Sequence, residues 1–349
     1  MSQSIPPSSI HLVPETPAKL HHLRIRHSRI SKIMNDLETL IHPDSQDSIL
    51  LVCGPTGVGK STLAQYMVER AIEKESAQME QDAGMLPAIY IQAPASGEKD
   101  FSWRLFYQRI LDQLDSGLTI PKAHYGLDMR TGNMIRPHGR PGNSLASLRT
   151  AVERGLRARK TQFLVIDEAA HIIRQTQPNR LEIQLDTLKS LANECGTQMV
   201  LVGSYDLYQL MSLSGQLARR THVLHFQRYL PENATDLNDF QGCLQKFENA
   251  LPSLWDKGLL VKHSSILLEN TLGCIGTLSA VLTRAAKLAH ADGRWSVNAL
   301  NQSFLTHTQH RQILEEILAG EAELSQGLNR TMPAIKTQRS GGNKACTSH

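Results

Sequence analysis

The chain has 349 residues, of which 40% are hydrophobic and 20% charged, and its formal net charge is +4. This length accommodates two domains and a sizeable buried core. The small positive charge permits nucleic-acid binding without requiring it, whereas the aromatic content of 5% argues against a protein that stacks single-stranded bases on aromatic rings.

The five cysteines are widely spaced and form no CxxC pair, which argues against a disulfide framework and a zinc site. No stretch approaches the ~20 apolar residues that span a bilayer. The first residues lack the charged and apolar regions of a signal peptide. We therefore expect a cytoplasmic protein.

Four regions follow one another along the chain. Residues 1–20 are rich in Ser and Pro and are predicted to form a flexible arm, and residues 325–349 form a polar tail that is a candidate partner-binding segment. Between them, residues 21–230 are predicted to form an α/β core, and residues 231–324 a helical module. In the core, a helix precedes the first of five apolar runs, at 49–53, 86–91, 162–166, 198–202 and 222–226.

Helical patterns separate these runs, at 61–76, 100–116, 144–159 and 180–195. This alternation predicts a parallel sheet covered by helices. The long stretch 117–143 is predicted to be a loop, and loops of that length are usually functional or disordered. Only helical patterns follow the last strand, at 232–250, 264–272, 276–291, 296–310 and 311–324.

The most informative motif follows the first apolar run, where residues 54–61 read GPTGVGKS. Its glycines allow backbone N–H groups to point at phosphate oxygens, and the following helix adds its positive dipole end. Lys60 is predicted to reach the β- and γ-phosphates of ATP, and Ser61 to bind Mg²⁺. The predicted nucleotide contacts in this loop are Gly54, Pro55, Thr56, Gly57, Val58, Gly59, Lys60, Ser61 and Thr62.

Acidic and polar residues end two later strands. Asp167 and Glu168 follow the run FLVI, and we expect Asp167 to hold Mg²⁺ through its water shell and Glu168 to polarise the attacking water. Ser204 follows the run MVLVG. It is a candidate sensor of the γ-phosphate, and an ordinary helix cap is an equally good interpretation.

Arginines near the predicted nucleotide site are further candidates. Arg219 or Arg220, just before the fifth strand, could reach the nucleotide of a neighbouring subunit as an arginine finger, and a solvated surface pair is the alternative. Arg284, on a lid helix, is a candidate for the γ-phosphate or an ordinary surface residue. Ahead of the first strand, the cluster of Arg24, Arg26, His27 and Arg29 is a candidate to flank the adenine or the phosphates, and a solvated basic helix start is an equally good interpretation.

Together these elements resemble the AAA+ ATPases. A closer resemblance is to transposition regulators of the TnsC/TniB type, related to MuB, and it covers residues 21–300. It is carried by RHxxI at 26–30, LVIDEAxH at 164–171, VGSYD at 202–206 and GQLARR at 215–220.

The resemblance implies a core sheet in the order 5-1-4-3-2, with ATP bound between subunits. It also implies rings or helical oligomers on double-stranded DNA that link a target-selecting adaptor or RNA-guided complex to the transposase, with ATP hydrolysis resetting the assembly. Two departures from the family, Ser204 in the sensor position and no arginine after Gly276, are compatible with slow or DNA-stimulated hydrolysis. The implied DNA-contacting loop contains the candidates Lys122, Arg130, Arg136 and Arg140.

Two other functions fit parts of the pattern. An AAA+ or STAND-like signalling switch would assemble on a protein partner without DNA, and the modest net charge leaves this open. A phosphotransferase would share the phosphate loop. The separate strand that ends in Asp167-Glu168, with the long helical module, disfavours a phosphotransferase.

Overall fold

The computed structural model describes residues 20, 23–42, 45, 47–95, 97, 100–114, 126–127, 134–135, 144–176, 180–212, 221–252, 254–255, 257–291 and 295–324. Within these ranges no single helix is long and apolar enough to cross a membrane. One bent pair, Ser264–Asn270 with Ile275–Ala291, passes the length and composition test only when taken together.

A five-stranded parallel sheet forms the centre of the first half of the fold. Its strands are β1 (Ile49–Cys53), β2 (Ala88–Gln92), β5 (Phe163–Asp167), β6 (Gln198–Gly203) and β7 (Thr221–His225). They lie in the order β2-β5-β6-β1-β7. Counted along the chain this is 5-1-4-3-2, so the predicted α/β fold class and the strand order are confirmed.

Helices precede and connect these strands. They are α1 (Ser28–Leu40), α2 (Lys60–Lys74), α3 (Ser76–Gln81), α4 (Trp103–Leu114), α5 (Leu145–Ala158), α6 (Ala170–Arg174) and α7 (Leu181–Cys195), with a 3₁₀ helix at Tyr205–Ser212. In the stretch predicted to be a loop, the two-residue strands β3 (Gly126–Leu127) and β4 (Met134–Ile135) pair antiparallel.

Both faces of the sheet are buried, as expected for a parallel sheet covered by helices. Successive strand residues point to opposite faces, so Ile49 and Leu51 pack into one apolar cluster, whereas Leu50 and Val52 pack into another. The register pairs Cys53 with Gly203, and Gln92 with Asp167. The carboxyl ends of β1, β5 and β6 therefore meet at one edge of the sheet.

The region after β7 is helical. Its elements are α8 (Ala234–Ala250), α9 (Leu259–Lys262), α10 (Ser264–Asn270), α11 (Ile275–Ala291), α12 (Val297–Ser303) and α13 (His307–Leu324). The helix predicted at 296–310 has the wrong C-terminal end, because α12 stops at Ser303. A capping box starts α13: Thr306 N–H donates to Gln309 Oε1 at 3.0 Å, and Gln309 N–H donates to Thr306 Oγ1 at 3.4 Å.

The last described helix, α13, packs back against the sheet and its covering helices. Ile317 is buried in the cluster that contains Leu50 and Val52. Arg228 donates to both carboxylate oxygens of Glu321, at 2.8 and 3.2 Å. This packing places α13 beside the end of β6, where Ser204 lies.

Gly320 is expected to be required for this packing. A Cβ at this position would lie 2.1 Å from the ring of Tyr205, whereas a Cβ at Gly242 of α8 meets nothing within 4 Å. Gly320→Ala should lower the free energy of unfolding by about 1–3 kcal/mol, because overpacking outweighs the gain in helix propensity. Gly242→Ala is the control and should raise it by up to about 1 kcal/mol. Urea denaturation measures both, and equal effects would contradict the assignment.

Candidate nucleotide-binding site

The phosphate loop has the backbone conformation that its glycines allow. Gly57 has φ +80° and Gly59 has φ +111°, both in the left-handed region that favours glycine. Gly59 is also the N-cap residue of α2. The loop therefore ends at a helix N-terminus, where backbone N–H groups and the helix dipole favour an anion such as a phosphate.

Lys60 is the first residue of α2, and its side chain reaches back to the start of the loop. Its Nζ donates to the carbonyl oxygens of Gly54 at 3.0 Å and Pro55 at 2.8 Å. Burial lowers the pKa of Lys60, and the nearby carboxylates of Glu168 and Asp167 oppose that shift. The side chain of Lys60 therefore lies near both the loop carbonyls and the carboxylates at the sheet edge, and its contact with phosphate stays a prediction.

The carboxylate of Asp167 is buried, with 1% of the residue exposed. Its Oδ1 accepts from the N–H of Glu168 at 2.8 Å, and its Oδ2 accepts from the hydroxyl of Tyr90 at 3.0 Å. Burial raises the pKa of Tyr90 to about 12, so this hydroxyl keeps its proton and remains a donor. Two donors therefore orient the carboxylate, one from the neighbouring strand β2 and one from the turn that follows β5.

These residues fit a magnesium ion. Mg²⁺ prefers oxygen ligands and is typically held by one or two protein groups together with phosphate oxygens and waters. Asp167 has lone pairs left after accepting two hydrogen bonds, and the Ser61 hydroxyl lies at the start of α2. Among the described residues there is no group of three or more His, Cys, Asp or Glu that could hold a metal ion.

Glu168 has an unusual backbone. Its φ is +51°, a left-handed conformation that a non-glycine residue rarely adopts and that costs about 1–3 kcal/mol. The side chain is exposed. Such strain persists where the surrounding structure imposes it, and it is concentrated at functional sites. The chain turns at Glu168, directly after the strand that ends in Asp167. The two adjacent carboxylates can therefore occupy different positions in the site.

Ser204 belongs to a small polar cluster at the end of β6. Its hydroxyl donates to Asp206 Oδ2 at 3.2 Å, and Arg174 donates through Nη2 to Ser204 Oγ at 3.4 Å. Arg174 also forms a salt bridge with Asp206. Together with Gly54, Pro55 and Thr56, these three residues line a cleft of about 290 Å³ that α13 closes on its other side.

The lid helix α11 touches the phosphate loop directly. Thr277 N–H donates to the carbonyl of Gly57 at 3.1 Å. A Cβ at Gly276 would lie 2.6 Å from that carbonyl oxygen, and a Cβ at Gly57 would lie 2.1 Å from Thr277 Oγ1. The close approach therefore requires glycine at both positions, and α11 begins directly beside the phosphate loop.

A cleft of about 630 Å³ runs from the phosphate loop to the segment before α1, which is a volume typical of small-molecule sites. Its lining comes from four segments, namely the residues before and within α1, the phosphate loop with α2, α8, and α11. The lining residues are Leu23, Arg24, Ile25, His27, Ile30, Val58, Gly59, Ser61, Thr62, Gln65, Phe247, Ile275, Gly276 and Ser279.

Two predicted nucleotide contacts lie elsewhere. Arg284 donates through Nε and Nη2 to the carbonyl of Ser303, at 3.2 and 2.8 Å, and is not among the residues lining the cleft. It lies nine residues beyond the start of α11, about 13 Å along the helix from the loop. The exposed Arg26 is also outside the lining, although its neighbours Ile25 and His27 belong to it.

Other predicted residues fall outside the described part of the chain. They are the candidate arginine fingers Arg219 and Arg220 and the candidate DNA contacts Lys122, Arg130, Arg136 and Arg140. Conversely, the structure adds Tyr90 and Arg174, which the sequence reasoning missed. One signal in the sequence could have indicated Arg174. This residue lies seven positions after Asp167, on the helix that follows the acidic pair.

Residues 42–211 match the sequence profile of a family described as the AAA domain. The chain has the AAA+ P-loop fold. The ORC2 protein of Aeropyrum pernix, solved in ADPNP and ADP complexes, has a TM-score of 0.55 at 16% identity, over 83% of this chain and 71% of that one. This likeness concerns the fold.

Two further structures are similar at lower scores. The Walker-type ATPase of Pyrococcus abyssi has a TM-score of 0.48 at 13% identity, over 87% of this chain and 75% of that one. Domain III of the replication initiation protein DnaA of Thermotoga maritima has 0.43 at 14% identity, over 87% and 96%. No curated protein matches the sequence. The AAA+ assignment supports an ATPase, and the narrower resemblance to transposition regulators remains a proposal.

Tyr90→Phe is expected to weaken Mg²⁺ binding in this AAA+ site about tenfold, because it removes a hydrogen bond that orients Asp167. ATP binding in EDTA should be unchanged. Titration of a fluorescent ATP with and without Mg²⁺ measures both quantities. Tyr107→Phe, which changes a buried tyrosine of α4, is the control and should leave the Mg²⁺ dependence intact. Equal weakening by Tyr90→Phe with and without Mg²⁺ would contradict the assignment.

Proposed function

We propose that the protein is an ATP-dependent, sequence-nonspecific double-stranded DNA-binding regulator of transposition that oligomerises on its target and is reset by ATP hydrolysis. The observation that carries the ATPase part is the convergence of four segments at one sheet edge. The phosphate loop, the pair Asp167-Glu168 and Ser204 follow neighbouring strands β1, β5 and β6, and the start of α11 contacts the loop.

Each residue at this edge has a chemical role in the proposed reaction. The loop N–H groups and Lys60 bind the phosphates, and Ser61 and Asp167 are the candidate holders of Mg²⁺. When bound, Mg²⁺ neutralises charge on the phosphate oxygens. Glu168 polarises the attacking water as a general base. Ser204, with Arg174 beside it, senses the γ-phosphate, and an arginine of a neighbouring subunit, Arg219 or Arg220, completes the site.

The role in transposition rests on the sequence resemblance. Phosphate contacts of the kind expected from Lys122, Arg130, Arg136 and Arg140 position a duplex without reading its sequence. Target choice would then come from an adaptor or RNA-guided complex, and the transposase would bind the assembled protein. We assign residues 1–20 to an arm, 21–230 to the ATPase core, 231–324 to the lid module and 325–349 to a partner-binding tail.

Negative-stain electron microscopy with duplex DNA tests this proposal. A non-hydrolysable ATP analogue should produce rings or filaments on the DNA, and protein without nucleotide should produce none. The logarithm of the binding constant should fall linearly with the logarithm of salt concentration, by about 0.9 per phosphate contact. If the analogue binds and no assembly on DNA appears at low salt, a signalling switch that assembles on a protein partner becomes the better interpretation.

A further inference from the structure

His27 has a buried ring nitrogen without a hydrogen-bond partner. The residue is 6% exposed and lines the 630 Å³ cleft, and its Nε2 has no partner. Its ring stacks against Phe226, with centroids 6.2 Å apart and planes at 21°. Because buried polar groups nearly always have partners, an unpaired nitrogen beside a binding cleft requires an explanation.

A hydrogen-bond count assigns the proton of this ring. Ser28 donates its single hydroxyl proton to Asp239 Oδ2 at 2.5 Å. Ser28 Oγ lies 3.0 Å from the hydroxyl of Tyr229, so in that contact Ser28 accepts and Tyr229 donates. In this arrangement the proton of Tyr229 is used by Ser28, so we assign the proton of the 2.8 Å contact between His27 Nδ1 and Tyr229 to Nδ1.

The count leaves Nε2 as an acceptor. Burial lowers the pKa of His27 to about 4, so the ring is neutral at neutral pH and carries one proton. With that proton on Nδ1, Nε2 presents a bare lone pair. The Ser28–Tyr229–His27 chain, which connects α1, the segment after β7 and the cleft, therefore holds the ring in one tautomer.

The cleft has two chemically different ends. Gly59, Ser61 and Thr62 form the phosphate end, at the start of α2. The segment before and within α1 lines the cleft with Leu23, Arg24, Ile25, His27 and Ile30, and its three aliphatic side chains suit a flat heterocycle. A nucleoside triphosphate with its phosphates on the loop would place its base at the end that contains His27.

We propose that His27 is a specificity-determining residue that reads the base, with Nε2 accepting a hydrogen bond from the exocyclic amine of adenine. This inference rests on the proposed binding of a nucleoside triphosphate. Adenine presents an amine donor at the position where guanine presents a carbonyl acceptor. A lone pair on Nε2 therefore favours adenine, and it opposes guanine because two acceptors would face each other.

Competition binding with the wild-type protein tests the proposal directly. The competitors of a ribose-labelled fluorescent ATP are ATP, GTP and purine riboside triphosphate, which lacks the exocyclic amine. ATP should bind about fivefold more tightly than purine riboside triphosphate, which corresponds to one hydrogen bond. GTP should bind at least about tenfold more weakly than ATP, because its carbonyl leaves the buried acceptor unpaired.

Variants connect this preference to the residue. His27→Phe keeps a ring against Phe226 without a nitrogen, and ATP and purine riboside triphosphate should then bind within about twofold of each other. Tyr229→Phe removes the contact that fixes the tautomer, and the penalty against GTP should shrink. His263→Phe, which changes a histidine outside the cleft lining, is the matched control and should retain the wild-type preferences. Thermal melts followed by circular dichroism check folding.

The outcomes separate the two proposals. Equal binding of ATP and purine riboside triphosphate by the wild-type protein would overturn the role of His27 and leave nucleotide binding intact, and so would an unchanged preference in His27→Phe. Failure of every triphosphate to bind would overturn the proposed function and the base assignment with it. If His27→Phe does not fold, the wild-type competition series decides alone, because it needs no variant.

Discussion

Glu168→Gln is expected to slow ATP hydrolysis by at least about a hundredfold while ATP binding is retained. A general base contributes about 10²–10⁴ in rate, and the amide has nearly the same shape as the carboxylate but cannot take a proton. Assemblies formed on DNA with ATP should then persist, because hydrolysis no longer resets them. Phosphate release measures the rate, and electron microscopy over time measures persistence of the assemblies.

Because of the backbone conformation at Glu168, Glu168→Gln should change the chemistry of the site without changing the stability of the fold. The residue is exposed and its strain resides in φ, which glutamine shares, so the free energy of unfolding should change by less than about 0.5 kcal/mol. Glu182→Gln, at an exposed position in the first turn of α7, is the control and should hydrolyse ATP at the wild-type rate. Normal turnover by Glu168→Gln would show that another group activates the water.

Lys60→Ala is expected to weaken ATP binding by at least about a hundredfold and to abolish ATP-dependent assembly on DNA. Hydrogen bonds to charged groups contribute about 1.5–3 kcal/mol each, and a lysine between two phosphates makes more than one. The effect also includes the loop, because the carbonyl groups of Gly54 and Pro55 lose their donor. Calorimetric titration with an ATP analogue measures the affinity.

Lys74→Ala provides the comparison, since Lys74 is an exposed residue in the last turn of the same helix. It should bind ATP and assemble on DNA like the wild-type protein. Full ATP-dependent DNA binding by Lys60→Ala would contradict the proposed function. Loss of DNA binding by both variants to the same degree would indicate a general effect of positive charge and not a nucleotide switch.

Much of the fold was predictable from local patterns. The five apolar runs predicted the five core strands with ends shifted by no more than two residues, because burial on both faces makes a parallel strand nearly continuous in apolar residues. The strand order came from the family resemblance and not from periodicity. The break between α12 and α13 was predicted after residue 310 but lies at residues 304–306, because the capping box formed by Thr306 and Gln309 was not recognised.

The candidate site was predictable in part for the same reason. The phosphate loop and the pair Asp167-Glu168 are contiguous motifs, so their chemistry is visible without a structure. The roles of other residues depend on neighbours that are distant in sequence. Tyr90 contacts Asp167 across 77 positions, and His27 contacts Tyr229 across 202. No local spacing encodes such pairs.

The sequence by itself determined the phosphate-loop motif, the acidic strand end and the alternation that produces a helix-covered parallel sheet. Only the tertiary structure decided which side chains surround these motifs. Strand register brings Tyr90 to Asp167, the docking of α11 explains glycine at position 276, and the return of α13 covers the edge near Ser204. The physical reason is that backbone preference and burial are local properties, whereas side-chain partners follow from how whole elements pack.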